Sequence, residues 1–430
     1  MIAPLPGLPS LREASRTWAK IGVMSFGGPA GQIAVMHRLL VDEKKWVAED
    51  QFLHALKFCT LLPGPEAQQL ATYLGWSLHG RRGGLIAGTL FIAPGVIIML
   101  GLSLAYRFVA GLGAIETVFG VIRPLVLVIV LDALLRIGRR SLPSNRLRLL
   151  AVAAFIALFV FHLPFPILVI ASGVIGLLIG NPDRTVSVRT EPPRTKDSFW
   201  ATVLIGLALW WVPIGGLFFV LGSHHVLSQM SVLWSKAAVV TFGGAYAVLD
   251  YVRVAAVQAG WLTPKAMLDG LSLAETTPGP LILVLQFVGF QGGWQFANPL
   301  SPLAGGLLGA VVNVWTTFVP SIMFVLAGAP YVEQLRHQPR LGAALSGISA
   351  AVVGVVANLS IWFFLQVLFR DHHSLSVGPI AIDLPIVASI NPIAAGLAGM
   401  GAIAVFKFKQ GIGRVLIAGA LLGILLATAG

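Results

Sequence analysis

Nine long apolar stretches constrain the fold of this chain more than any other feature: Gly83–Tyr106, Ala114–Leu135, Leu147–Phe161, Pro164–Gly180, Phe199–Gly222, Leu303–Gly328, Gly342–Leu368, Pro385–Phe406 and Gly413–Ala429. Backbone in hydrocarbon must satisfy its own hydrogen bonds, so such stretches read as membrane-spanning helices. Composition agrees. Of 430 residues 57% are hydrophobic and 11% charged, less than half the roughly 25% charge of a soluble chain. Four further segments are apolar but interrupted by Gly or Pro: Leu11–Met36, Gln51–Leu78, Val232–Val252 and Pro264–Phe290. They read as broken spans or as re-entrant hairpins, and if all four cross, the total is thirteen. The expected fold class is an all-α integral membrane protein. The single Cys59 excludes a disulfide framework and a Cys-rich metal site. Arg12, Glu13, Arg16 and Lys20 interrupt the first stretch, so no cleavable signal peptide is expected.

The chain repeats itself. Trp18-Ala19-Lys20 recurs as Trp234-Ser235-Lys236, and Ser25-Phe26-Gly27-Gly28 as Thr241-Phe242-Gly243-Gly244, both at an offset of 216. Trp46 recurs as Trp261 and Pro63-Gly64-Pro65 as Pro278-Gly279-Pro280, both at 215. Four matches in one register, with a single-residue slip, point to internal duplication. The polar, Pro-containing stretch Asn181–Ser198 reads as a linker. The expected organisation is a first repeat over 11–180, linker plus connecting helix over 181–222, and a second repeat over 223–430. Each repeat holds about six apolar segments, an even number, and one extra span lies between them. That count inverts the second repeat relative to the first.

Basic residues give the orientation. With the N-terminus in the cytoplasm, cytoplasmic segments hold 21 Lys and Arg and outer segments hold five. The C-terminus is then external. The net charge of +12 is accounted for by this bias, and no nucleic-acid partner is needed.

Membrane helices have no structural need of Gly-Gly-Pro or Pro-Gly-Pro, which break the hydrogen-bond ladder. Unwound backbone at membrane depth is tolerated where it is buried in protein or lines a wet cavity. A helix that restarts after such a break presents free N–H groups and about half a positive charge, which suits an anion. The candidate binding residues are therefore Ser25, Gly27, Gly28, Pro63, Gly64, Thr241, Gly243, Gly244 and Gly279, with the two hydroxyls as further donors. Against this stands the plainer reading that small residues let helices pack closely.

Lys57, Arg123 and Lys236 lie within apolar segments and join the candidate set as cations facing an anion. Lys20, the repeat equivalent of Lys236, lies near a span end, where snorkelling explains it equally well. Glu66 follows the first Pro-Gly-Pro and Glu275 precedes the second by three residues. Either can carry a coupling proton, cap a helix or pair with Lys57. There is no P-loop, HExxH or GxSxG motif, so no ATPase, zinc-protease or hydrolase-elbow chemistry is expected. His224-His225 and His372-His373 read as outer-loop residues rather than metal ligands. Neither a cofactor nor a metal is called for, and no enzymatic activity is expected.

At these motifs the chain resembles the chromate ion transporter family in its long, two-domain form. The matching residues are Ser25-Phe26-Gly27-Gly28-Pro29, Trp46, Phe52 and Pro63-Gly64-Pro65, then Phe242-Gly243-Gly244, Trp261 and Pro278-Gly279-Pro280. The resemblance runs from Leu11 to Phe406. It implies an inner-membrane secondary transporter, an antiporter that exports chromate and confers resistance, with sulfate as the structural mimic. A proton or counter-anion and a second copy of the chain are the expected partners besides the bilayer. The second repeat has Ala245 in place of Pro29 and Leu281 in place of Glu66, so the halves are not expected to do identical work. A sulfate or other oxyanion exchanger of the same fold is the alternative, followed by a channel-like or enzymatic membrane protein.

Overall fold

The computed structural model of the chain describes residues 9–26, 28–179, 199–242, 244–331, 339–377 and 380–429. The linker expected at Asn181–Ser198 lies outside them. The fold is all-α, with sixteen α-helices among the described residues. In chain order they are α1 Leu11–Met24, α2 Gly28–His37, α3 Glu49–Cys59, α4 Glu66–Val109, α5 Gly113–Ser141, α6 Asn145–Phe159, α7 Phe165–Ile179 and α8 Phe199–Leu221. There follow α9 Val226–Val240, α10 Ala245–Gln258, α11 Pro264–Thr276, α12 Val284–Gln295, α13 Pro302–Gly328, α14 Pro339–Leu368, α15 Pro392–Ala402 and α16 Ile412–Ala429.

Among the described residues five helices are long and apolar enough to cross a bilayer alone: α4, α5, α8, α13 with its 3-10 extension to Tyr331, and α14. The apolar helices α7, α9, α15 with its π-helical extension to Lys407, and α16 are shorter. α4 is bent where His79 and Gly80 leave helical geometry, which separates the interrupted segment from the long span that follows it. Local chemistry sets the helix starts. Ser10, Ser301 and Asn391 accept from backbone N–H groups in the first turns of α1, α13 and α15, the last two followed by Pro302 and Pro392.

One region differs from expectation. Residues His372–Val377 and Ile380–Pro385 form an antiparallel β1–β2 hairpin, His372 pairing with Pro385. The sequence reading placed the His pair in a loop and began a span at Pro385, whereas the helix starts only at Pro392. The first strand alternates polar and apolar residues over Ser374–Val377, a period of two that a search for long apolar runs passes over.

The chain divides into two compact units, each drawing on both halves of the sequence. The first comprises 1–101, 182–248 and 277–342, the second 102–181, 249–276 and 343–430. In the first, α12 and α13 meet through glycines: a methyl at Gly289 would lie 2.5 Å from the Gly309 carbonyl oxygen, and one at Gly293 would collide with Gly305. These small residues serve close packing. α8 lies on α13 through Trp210, Ile214 and Met323, and the Trp210 indole donates to Ser235 Oγ at 3.0 Å. In the second unit, α7 and α14 approach at Gly176 and Gly347, and α5 and α16 at Leu125 and Gly419.

Two buried carboxylates of the second unit, Asp269 and Asp250, are paired within it. The Arg123 guanidinium lies 2.6 Å from Asp269 and 3.2 Å from Glu116, and Lys265 reaches Glu116 at 2.8 Å. Tyr106 donates to the other Asp269 oxygen at 2.8 Å. Asp250 is held by Arg253 at 2.6 Å and by the Asn358 amide at 2.7 Å.

Candidate functional site

Each interrupted segment breaks at its glycine motif. α1 gives way to α2 across Ser25–Gly28, α3 to α4 across Pro63-Gly64-Pro65, and α9 to α10 across Thr241–Gly244. α11 ends before Pro278-Gly279-Pro280, and the helix resumes through a 3-10 turn at Leu281–Leu283. The residues of all four breaks belong to the first unit. Gly27 and Gly243 lie outside the described residues.

The breaks bond to one another crosswise. Gly64 N donates to Thr241 O at 2.8 Å, and Gly279 N donates to Ser25 O, also at 2.8 Å. Each Pro-Gly-Pro of one repeat thus meets the Phe-Gly-Gly motif of the other. The hydroxyls of Ser25 and Thr241 donate back to Ile21 O and Ala237 O in their own helices. These donors, expected from the sequence to face an anion, are engaged within the protein.

The glycines of the two motif types differ in their surroundings. A methyl at Gly64, whose φ is +133°, would stand 2.7 Å from Gln69 Nε2 and 2.8 Å from Ser321 Oγ. At Gly279 it would stand 3.1 Å from the Gly95 backbone. At Gly28 and Gly244 it would meet nothing within 4 Å. The Pro-Gly-Pro glycines are therefore packed, and the last Phe-Gly-Gly glycines open onto space. Gly28 is the first residue of α2 and Gly244 immediately precedes α10. Early N–H groups of a helix have no partner within it, so both ends can receive an anion.

Two buried glutamines support the breaks and two bond elsewhere in the unit, and sequence reasoning missed all four. Gln69 Nε2 donates to Pro63 O at 2.8 Å and Gln32 Nε2 to Gly279 O at 2.6 Å. Gln68 accepts from Ser321 Oγ at 2.8 Å, and Gln286 donates to Val96 O at 3.0 Å. All four glutamines are at most 1% exposed. The signal that could have found them is an uncharged amide inside an apolar segment, which must bond to something there.

The lysines divide from the arginine. Lys57 and Lys236, together with Lys20, are exposed side chains of the first unit, on the helices entering three of the breaks. Arg123 belongs to the second unit, in the ion-paired group around Asp269. Glu66, half-buried, opens α4 directly after the first Pro-Gly-Pro. Glu275 is buried near the end of α11 and belongs to the second unit. His225 is buried and caps α9 by accepting from Leu227 N at 3.2 Å. Among the described residues no group of three or more His, Cys, Asp or Glu is placed to hold a metal ion.

Comparison with known proteins gives the family of the chain. The family model described as chromate transporter matches residues 12–177 and again 228–424. A chromate transport protein of Pseudomonas aeruginosa is 32% identical over 94% of this chain and 89% of its own. One from Cupriavidus metallidurans is 27% identical over 81% of both. An uncharacterized transporter of Methanocaldococcus jannaschii is 28% identical over 84% of this chain and 86% of its own. No solved structure matches the chain.

Proposed function

The chain belongs to the chromate transporter family and is a multi-pass membrane protein, and from that premise we propose that it is a secondary transporter exporting chromate, a sulfate-like tetrahedral dianion. The observation that carries the site is the crosswise bonding of the four breaks, which leaves Gly28 and Gly244 open at the starts of α2 and α10. The anion is received there by early helical N–H groups, within a set that comprises Ser25, Gly27, Gly28, Pro63, Gly64, Thr241, Gly243, Gly244 and Gly279. The bonds from Gly64 and Gly279 hold the broken backbone in shape, so binding does not have to order it.

Lys57 and Lys236 compensate the charge of the dianion; Arg123, the third candidate cation, lies in the second unit in its own ion-paired group. Burying a dianion without such compensation would be prohibitive. Glu66 and Glu275 are the carboxylates that would carry a proton if one is coupled, and a counter-anion is the other means of balancing charge. The reciprocal Gly64–Thr241 and Gly279–Ser25 bonds support two inverted repeats about a pseudo-twofold relation. The assigned location is a bacterial inner membrane, with the N-terminus cytoplasmic, the C-terminus periplasmic, and chromate resistance as the outcome. Two copies of the chain as a homodimer remain part of the proposal.

The test is chromate flux in vesicles reconstituted with the purified protein, with sulfate, phosphate and molybdate as competitors. Saturable chromate flux inhibited best by sulfate is expected. If phosphate or molybdate moves and chromate does not, the protein is a different oxyanion exchanger. Currents far above transporter turnover would make it a channel.

A further inference from the structure

The second unit contains a cavity of about 370 Å³ along α5, between α15 and α16. Val121 and Leu125 of α5, Leu397 and Met400 of α15, and Val415 and Leu422 of α16 form its walls. Among the described residues, Gln410, two positions before α16, and Arg414, in its first turn, are the only polar ones that line it. Gly419 packs on Leu125 and Gly423 on Val118, so α16 runs opposite to α5 and the polar end lies at one end of the groove.

Among the described residues the cations at that end have no ion pair. Lys407 and Lys409 precede Arg414 by a few residues, and residues 384–430 contain no Asp or Glu. The carboxylates of α5 are taken, Glu116 by Arg123 and Lys265, and Asp132 by Arg136. The N-terminus of the eighteen-residue α16 adds positive potential beside Arg414. A groove apolar along its length and cationic at one end matches a molecule with an acyl chain and an anionic head.

We propose that this groove binds an anionic phospholipid, its acyl chain along α5 and its phosphate against Arg414 and the start of α16. A second copy of the chain fits less well. A twofold contact would set the same patch against itself and bring three cations per copy into like-charge apposition. Free inorganic phosphate would leave the apolar walls unused.

The experiment uses the full-length protein in detergent, titrated with phosphatidylglycerol or with phosphatidylcholine of the same chains. Binding is read by native mass spectrometry and by the thermal unfolding midpoint. Phosphatidylglycerol should bind and raise the midpoint, and phosphatidylcholine should do neither. Arg414→Gln should weaken phosphatidylglycerol about fivefold, and Ala404→Phe, at a small residue that lines the groove, should fill it and abolish binding. Both variants are first checked for monodisperse elution, so a failure of one to fold leaves the other to decide. Equal binding of the two lipids overturns the proposal, as does an undiminished preference in the folded variants. Stabilisation by inorganic phosphate equal to that by phosphatidylglycerol also overturns it. A dimer that Ala404→Phe dissociates without changing lipid binding assigns the groove to self-association instead.

Discussion

The backbone nitrogen of Gly64 donates to the carbonyl oxygen of Thr241 at 2.8 Å, joining residues 177 positions apart through two points where helices stop. The repeat-equivalent pair, Gly279 and Ser25, is joined at the same distance. A helix break leaves backbone groups unsatisfied, and here the acceptors of one repeat's break meet the donors of the other's. The bonds stabilise the interruptions, and they make the two types of glycine unequal.

That inequality is testable. Gly64→Leu should lower folded yield, because a side chain there collides with Gln69 and Ser321 on a backbone at φ +133°. The backbone strain alone is worth about 1–3 kcal/mol. Gly28→Leu, at φ +72°, carries comparable backbone strain but no collision, so it should leave more folded protein; with its side chain in the open space at the start of α2, chromate flux should be low. Yield in detergent and vesicle flux read the two effects separately. Wild-type flux from a folded Gly28→Leu variant would remove α2 from the site.

Gln32→Leu should be destabilising, because the Gly279 carbonyl loses its buried donor. The cost expected is about 1–3 kcal/mol, seen as a lower unfolding midpoint. Gln32→Glu is the companion variant. It keeps the volume but replaces the donating amide with an acceptor, and it should fare no better. An unchanged midpoint in both would mean that the amide does not support the break.

Arg123 presents a choice between charge compensation and scaffold. Arg123→Gln leaves Asp269, itself 2% exposed, without its cation. Removing one partner of a buried pair costs about 3–5 kcal/mol, and transport should weaken. Adding Asp269→Asn should restore most of the stability. If the double variant also recovers full flux, Arg123 is structural and the anion is compensated by Lys57 and Lys236. Lys57→Gln and Lys236→Gln, both exposed, should lower flux with the unfolding midpoint unchanged.

The driving force follows from charge. One elementary charge crossing 100 mV is worth about 2.3 kcal/mol, so a dianion leaving a negative-inside cell gains about 4.6 kcal/mol, roughly three decades of gradient. In vesicles of defined orientation, with valinomycin setting the potential and equal pH on both sides, outward chromate flux should rise as the cytoplasmic side becomes more negative. Flux indifferent to potential would mean an electroneutral cycle, and Glu66→Gln would then be the variant to examine for a compensating proton.

Topology gives the last expectation. Reporters fused after Pro143 and Glu191 should read cytoplasmic and one at the C-terminus external. A cytoplasmic C-terminus would contradict the inverted arrangement.

The membrane class and the positions of the four interruptions were legible in the sequence because both depend on local chemistry. Apolar runs commit a segment to hydrocarbon, and Pro and Gly end a helix wherever they stand. The partners of the breaks were not legible. Nothing local relates Gly64 to Thr241 or Gln32 to Gly279, since those bonds form only when distant segments are packed together. For the same reason Arg123 read as a cation facing the anion, although Asp269 and Glu116 are its partners. Gln32, Gln69 and Gln286 went unremarked because an uncharged amide shows its value only against the carbonyl it faces. Sequence by itself thus determined where the helices must break, through backbone geometry and the cost of unpaired N–H and C=O groups in lipid. Only the tertiary structure decided which broken end satisfies which, because a hydrogen bond between segments requires both to be brought within about 3 Å.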